Sequence, residues 1–379
     1  MRYFILLILA ISLSAHSDKL EDFFKVEASL ETKYTINDNL TNYRIDGILL
    51  DSEQELPKEG FDLSHLSFSI LKEYKNLTAK LALSSHLSND TYIEEAFLKS
   101  RHKIGDIDIV LKGGKFFSNF AYLNSHSHGG FLEKPLSYRF FSDDLNDKGI
   151  GVDLRYKNSY FSIENLAGDE YPSKDSDKYL LGSLILSGGF EFELFKNYFD
   201  FKLFTLLSEA NGRLHSKQLS HKHSNIKETC SSVDNFCFSG DVKLYGLALK
   251  HNYKKLNFLI EYIYKKEDGY LRDKMQKNSY TSEQNGLYLQ SDFDILDNLN
   301  LALRYNRIWS DNILKGSNVS NLAQKAHLYK NNITPQSFNI MLDFKLAKYH
   351  NLKLQYDIND LYDNDEDTIT FAYILNFHI

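Results

Sequence analysis

In the last eleven residues, Ile369, Phe371, Tyr373, Leu375, Phe377 and Ile379 occupy alternate positions, with Thr370, Ala372, Asn376 and His378 mostly on the other face. Such a period of two makes a strand with one apolar side. The pattern recurs at Leu77, Ala79, Leu81 and Leu83, and at Leu256, Phe258, Ile260, Tyr262 and Tyr264. It returns at Leu299, Leu301, Leu303 and Tyr305, and at Phe338, Ile340, Leu342, Phe344 and Leu346. The intervening positions carry the charges: Lys80, Glu261, Arg304, Asp343 and Lys345.

A strand that meets lipid on one face and water on the other needs this division, and in a membrane every backbone group must pair within a closed sheet. The alternation explains how a chain with a mean hydropathy of -0.40 could span a bilayer, since only half of each strand need be apolar. Beyond residue 17 no run approaches the ~20 apolar residues of a membrane helix. A soluble β-sandwich would alternate too, but the number of segments, each about ten residues long, favours the membrane. The 25 Tyr and 27 Phe suit the interfacial girdles of a barrel, and four prolines with no linker-like stretch give no domain boundary.

Polar punctuation separates the segments at Ser88-Asn89-Asp90, Lys157-Asn158-Ser159, Lys196-Asn197, 252–255, Asp297-Asn298 and His350-Asn351. Longer polar stretches, 119–148, 209–240, 265–284 and 310–334, read as external loops. The count gives an all-β fold, a transmembrane antiparallel β-barrel of about sixteen strands with long extracellular loops.

At the N-terminus, Arg2, the apolar stretch from Tyr3 to Leu13 and the small residues after it predict a signal peptide over residues 1–17. Cleavage before Asp18 and cleavage after Ser14 both satisfy the small-residue rule. The barrel would then occupy residues 18–379. Cys230 and Cys237 are the only cysteines, and a disulfide between them is the default in an oxidising compartment; a pair of thiol metal ligands is the alternative. The net charge of -7 is mild, points to no nucleic-acid partner and selects neither anions nor cations.

The densest cluster of motifs runs from Gly113 to Gly151. It contains Gly114-Lys115-Phe116-Phe117, Asn119, Asn124, the pair His126 and His128, Glu133, Pro135-Leu136 and Asp147-Lys148-Gly149. Together with the terminal strand, which resembles the assembly signal of outer-membrane barrels but ends in Ile379 rather than an aromatic, this run resembles a family of porin-like outer-membrane proteins of proteobacteria. That family is often linked to metal uptake, and some members are described as zinc-regulated receptors. The resemblance covers about forty residues and the surrounding barrel pattern. It implies a loop folded toward the lumen, with Lys115, Phe116, Phe117, Asn119, Asn124 and Pro135 at the constriction. Alternation begins near Phe24, which leaves no room for the N-terminal plug of an energy-coupled receptor.

In an extended segment His126 and His128 project to one side, where Glu133 or Asn124 could complete a divalent-ion site. His221 and His223 repeat the spacing beside His215 and Glu228. The plainer reading is that these loop histidines line a constriction or meet water, because two histidines without a fixed third ligand fall short of a metal site. A lipid-hydrolase reading could use His86 and Ser88, but the parity set by Leu81 and Leu83 turns both toward the lumen.

The residues therefore point to a porin-like channel for small hydrophilic solutes, with zinc or another divalent ion as cargo rather than cofactor. A non-conducting adhesin or binding receptor is the alternative. The partners expected are outer-membrane lipids, the barrel-assembly machinery and the permeating solutes, with a homotrimer and a monomer both compatible with the strand pattern.

Overall fold

The computed structural model describes residues 24–37, 45, 47–49, 59–85, 91–124, 130–179, 182–216, 235–328, 334–361 and 366–378. Among them sixteen strands follow in order. The first eight are β1 (Lys25–Asn37), β2 (Gly60–Tyr74), β3 (Leu77–Ser85), β4 (Thr91–Ile104), β5 (Ile107–Phe117), β6 (Asn146–Tyr156), β7 (Ser159–Leu166) and β8 (Ser183–Leu194). The rest are β9 (Asn197–Ser216), β10 (Asn235–Tyr253), β11 (Leu256–Arg272), β12 (Lys277–Leu296), β13 (Leu299–Lys315), β14 (Gln336–Ala347), β15 (His350–Asp360) and β16 (Glu366–His378). Each strand pairs antiparallel with its neighbours in sequence, and β16 returns to β1 in a register that sets Leu375 opposite Leu30. The sheet is closed and has no edge.

Alternate connections are two-residue turns on one rim, such as Lys75-Asn76, Lys157-Asn158 and Lys254-Lys255. Their first residues take φ of 52°, 53° and 53°, as the tightest hairpins require. The other rim carries the longer connections, one of which holds a short helix, α1 (Val319–Lys325).

The alternation predicts the two faces correctly. Leu81, Leu256, Phe338, Phe344 and Phe371 are exposed on the outside, while Ala302, Arg304, Met341, Gln355 and Thr370 are buried inside. Aromatic side chains gather at two levels of the outer face. Near the turn rim Phe192 stacks on Phe199 at 5.1 Å; toward the other rim Tyr245 meets Tyr264 at 6.3 Å and Tyr262 meets Trp309 at 6.4 Å. An apolar belt between aromatic girdles is what a bilayer-spanning barrel presents to lipid.

Three loop boundaries need correction. Residues 265–284 are not a loop: β11 continues to Arg272, β12 starts at Lys277, and residues 273–276 connect them. Likewise β9 runs to Ser216, β10 begins at Asn235 and β13 ends only at Lys315. These strands run 17 to 20 residues, more than the ~9–11 needed to cross a bilayer, so the barrel wall rises beyond the apolar belt. There the outer face turns polar, with Lys266 and Asp268 replacing leucines, and apolar alternation stops marking a strand that is still present. Strand β3 ends at Ser85 and β4 begins at Thr91, and Ser88-Asn89-Asp90 lie outside the described residues.

Candidate functional site

In the connection from β5 to β6, residues 118–124 and 130–145 lie in the barrel interior. Its base is pinned by polar contacts. The Asn124 side chain donates to the carbonyls of Ser118 (2.8 Å) and Leu145 (3.1 Å), and its oxygen accepts from the Leu145 amide (2.8 Å), which ties the two legs together. Glu164 on β7, fully buried, accepts from the Asn119 amide (3.0 Å) and the Ser118 hydroxyl and pairs with Lys112 of β5. The Asn119 amide side chain donates to Asp153 of β6 at 2.9 Å.

The middle of the loop is apolar and docks on the β7–β13 side. Phe120 meets the edge of Phe204 at 4.7 Å, Tyr138 meets Tyr288 at 6.0 Å, and Phe140 and Phe141 are fully buried. A π-helical turn, Tyr138–Ser142, sits against β12 at Gly286, where an added Cβ would stand 2.5 Å from the Ser137 Cβ. Strand residues complete the dry region: Leu206, Val242, Leu244, Ala248, Ile263, Tyr280 and Ile308 point inward and are all buried. Side chains from the neighbouring connections, including Ile45, Leu49 and Leu322, join them.

The far stretch, residues 130–133, lies along the adjoining wall, from β13 round to β1. Phe131 packs with Ala302 and Met341 beneath the Arg304 guanidinium, 3.9 Å from its ring, and Leu132 packs with Ala372 and Ile374. The Leu132 amide donates to Gln355 at 2.7 Å. Arg304 donates to the Glu133 carbonyl (2.7 Å), Lys33 to the Leu132 carbonyl (3.1 Å) and Lys353 to the Gly130 carbonyl.

Beside the loop, the inner wall of β1–β4 remains partly wet. The side chains of Glu31, Lys33, Lys80 and Glu95 are 22, 15, 24 and 12% exposed, whereas Val242 and Leu244 across the barrel are at 0%. The loop contributes Glu133, paired with Arg139, and Lys134, set between Asp143 and Asp144 (2.8 Å to the latter). Burial works against the charge on Lys134, yet the two aspartates outweigh it and hold the ammonium above its usual range. The interior is thus divided into a dry half and a charged, solvent-reached lane.

The structure redistributes the residues expected from sequence. Asn119, Asn124 and Pro135 belong to the crossing loop, and Pro135 caps its turn by accepting from the amides of Tyr138 and Arg139 (3.0 Å each). Lys115, Phe116 and Phe117 instead finish strand β5, because Gly113 to Phe117 stay in register with β6. Only Phe116 of the three is buried in the core. His126 and His128, like His221, His223, Glu228 and Cys230, lie outside the described residues, as do His86, Ser88 and the expected signal peptide. His215 is buried at the end of β9, stacked on Phe236 at 5.3 Å, with Nε2 accepting from the Arg213 Nε at 3.2 Å. Among the described residues no group of three His, Cys, Asp or Glu is placed to hold a metal. Cys237 is disulfide-bonded, and Cys230 is the only other cysteine of the chain.

Sequence reasoning missed Glu164, Arg304, Lys33, Lys353 and Gly286. The available signal was their parity: each sits on the inward side of a strand whose outward side is apolar.

A closed sixteen-strand antiparallel barrel with an apolar outer belt and loop residues packed inside its lumen has the fold of the outer-membrane porins. Solved structures share that fold over nearly their whole length. OmpT of Vibrio cholerae, an outer-membrane protein, matches in a loop-deletion form at a TM-score of 0.57 and 9% identity, covering 93% of this chain and 99% of that one. In its trimer form OmpT matches at 0.54 and 10% identity, with the same coverage. An anion-selective porin from Comamonas acidovorans matches at 0.54 and 9% identity, covering 94% of this chain and 98% of the porin. In sequence the chain is 25% identical over 357 residues to an uncharacterized protein of Aquifex aeolicus, covering 85% of this chain and 69% of that protein. No family model matches.

Proposed function

We propose that the protein works in the outer membrane as a channel for small hydrophilic solutes, with divalent metal ions such as zinc as cargo. The observation that carries the channel reading is the wet, charged lane along β1–β4 beside a loop fixed to the other walls. The metal reading rests on His126 and His128 lying in the same loop connection as Glu133, and on the family resemblance of that segment. Weak contacts of this kind would concentrate a cation without trapping it. Membrane lipids and the barrel-assembly machinery are the partners this location requires, and the trimer form of OmpT supports a homotrimer as the assembly. No catalytic role is proposed.

The competing reading is a barrel that binds at its surface and does not conduct, and the apolar filling of half the interior favours it. Single-channel recording of the refolded protein in potassium chloride separates the two. A steady conductance supports the channel, and silence supports the surface receptor. Zinc added on the loop side should reduce the current, and His126→Ala/His128→Ala should abolish that response. An unchanged response in the double variant removes the metal assignment.

A further inference from the structure

Three cations of the wall reach the backbone of the loop, and one of them, Lys33, does so from the edge of the lane. Lys33 of β1, Arg304 of β13 and Lys353 of β15 come from three separate strands, and each donates to a main-chain carbonyl of residues 130–133. Gln355 of β15 completes the set by accepting from the Leu132 amide at 2.7 Å. The grip is on the backbone, so it fixes the path of the segment whatever side chains the segment carries. Phe131 and Leu132 then drop into apolar seats on β13–β14 and β16.

We propose that Lys33, Arg304 and Lys353 are the positioning residues that hold segment 130–133 against the wall and thereby keep the conducting lane open. The proposal rests on the channel reading. Behind the segment stands the closed sheet, so a segment that lets go can move only inward, across the lane. Ammonium-to-carbonyl and guanidinium-to-carbonyl bonds are charge-assisted. Losing one should shift the held-to-released ratio by roughly tenfold.

The test is single-channel recording of the full chain carrying Lys33→Met and Lys353→Met together. Arg304 is left in place because it is fully buried on Gln290, and its removal would threaten folding. Retained heat-modifiable mobility on gels verifies that the variant barrel has formed. The expected result is a closed-time fraction raised about tenfold to a hundredfold over the wild type. Lys33→Arg/Lys353→Arg, which keeps both donors, should record like the wild type. Oxidised Leu132→Cys/Ala372→Cys, which ties the segment to β16, should restore steady current in the methionine background. Closures at the wild-type level in the methionine variant, or a tether without effect, would overturn the proposal and leave the channel reading intact. A wild-type protein that never conducts removes the channel reading and this proposal with it.

Discussion

At Gly286 the loop packs directly on a bare stretch of the barrel wall, and substituting it should shift the loop without touching a charge. A Cβ at this position would stand 2.5 Å from the Ser137 Cβ, 2.8 Å from Phe141 Cε2 and 3.3 Å from the Ser137 Cα. Ordinary carbon contacts lie near 3.5–4.0 Å, so the loop must retreat by about 1 Å for alanine and further for valine. Strand β12 cannot yield in its place, because it is hydrogen-bonded to β11 and β13 along its length within a closed sheet. Overpacking of this kind costs about 1–3 kcal/mol, roughly a fivefold to 150-fold shift in the docking equilibrium. The displaced turn moves away from β12 and toward the lane. Gly286→Ala and Gly286→Val should therefore form barrels with graded loss of single-channel conductance and graded exposure of residues 118–145 to protease. Conductance and loop cleavage identical to wild type in both variants would refute the docking argument.

Asn124→Ala removes three hydrogen bonds from a buried position and should open the loop base; proteolysis near residues 118–145 should quicken while the heat-modifiable barrel persists. Glu267→Gln leaves Arg213 (2.6 Å away) and Lys265 (3.1 Å away) buried without their carboxylate, which should cost about 3–5 kcal/mol and lower the thermal midpoint; an unchanged midpoint would mean that water reaches the pair. In the β11–β12 connection, burial raises the Asp273 carboxyl, but the amides of Met275 (2.8 Å) and Gln276 (2.9 Å) and the Lys325 ammonium outweigh it and hold the carboxyl below its usual range. Its folded-state pKa is depressed, so its contribution is complete above the ordinary aspartate range and is lost as pH falls through the lowered value. Hydrogen exchange at Met275 and Gln276, corrected for intrinsic rate, should rise only in strong acid, whereas Asp273→Asn should show the faster exchange at neutral pH.

The barrel was legible because the membrane imposes a rule at every second residue. Leu81, Phe338, Phe344 and Phe371 must face lipid, and their neighbours must face inward, so a period of two written across many segments specifies both the element and its orientation. The same rule failed where hydrocarbon no longer applies. Residues 265–272 and 277–284 are strand above the belt, held by inward ion pairs such as Lys265 with Glu267 and by the β11–β12 ladder, and neither leaves an apolar alternation to read. Ile374 and Ala372 look like exceptions to the polar inner face until Leu132 is found packed on them.

The crossing loop lay between these cases. Its residues were recognisable as a cluster, and Asn119, Asn124 and Pro135 do belong to it, but Lys115, Phe116 and Phe117 proved to be the end of β5. Sequence by itself determined a closed, lipid-facing sheet, since each strand carries its own instruction in the spacing of its side chains. Only the tertiary structure decided how the interior is divided. Gly286, Glu164, Lys33, Arg304 and Lys353 acquire their roles from partners 45 to more than 200 residues away, and no local pattern encodes contacts that exist only once the barrel has closed.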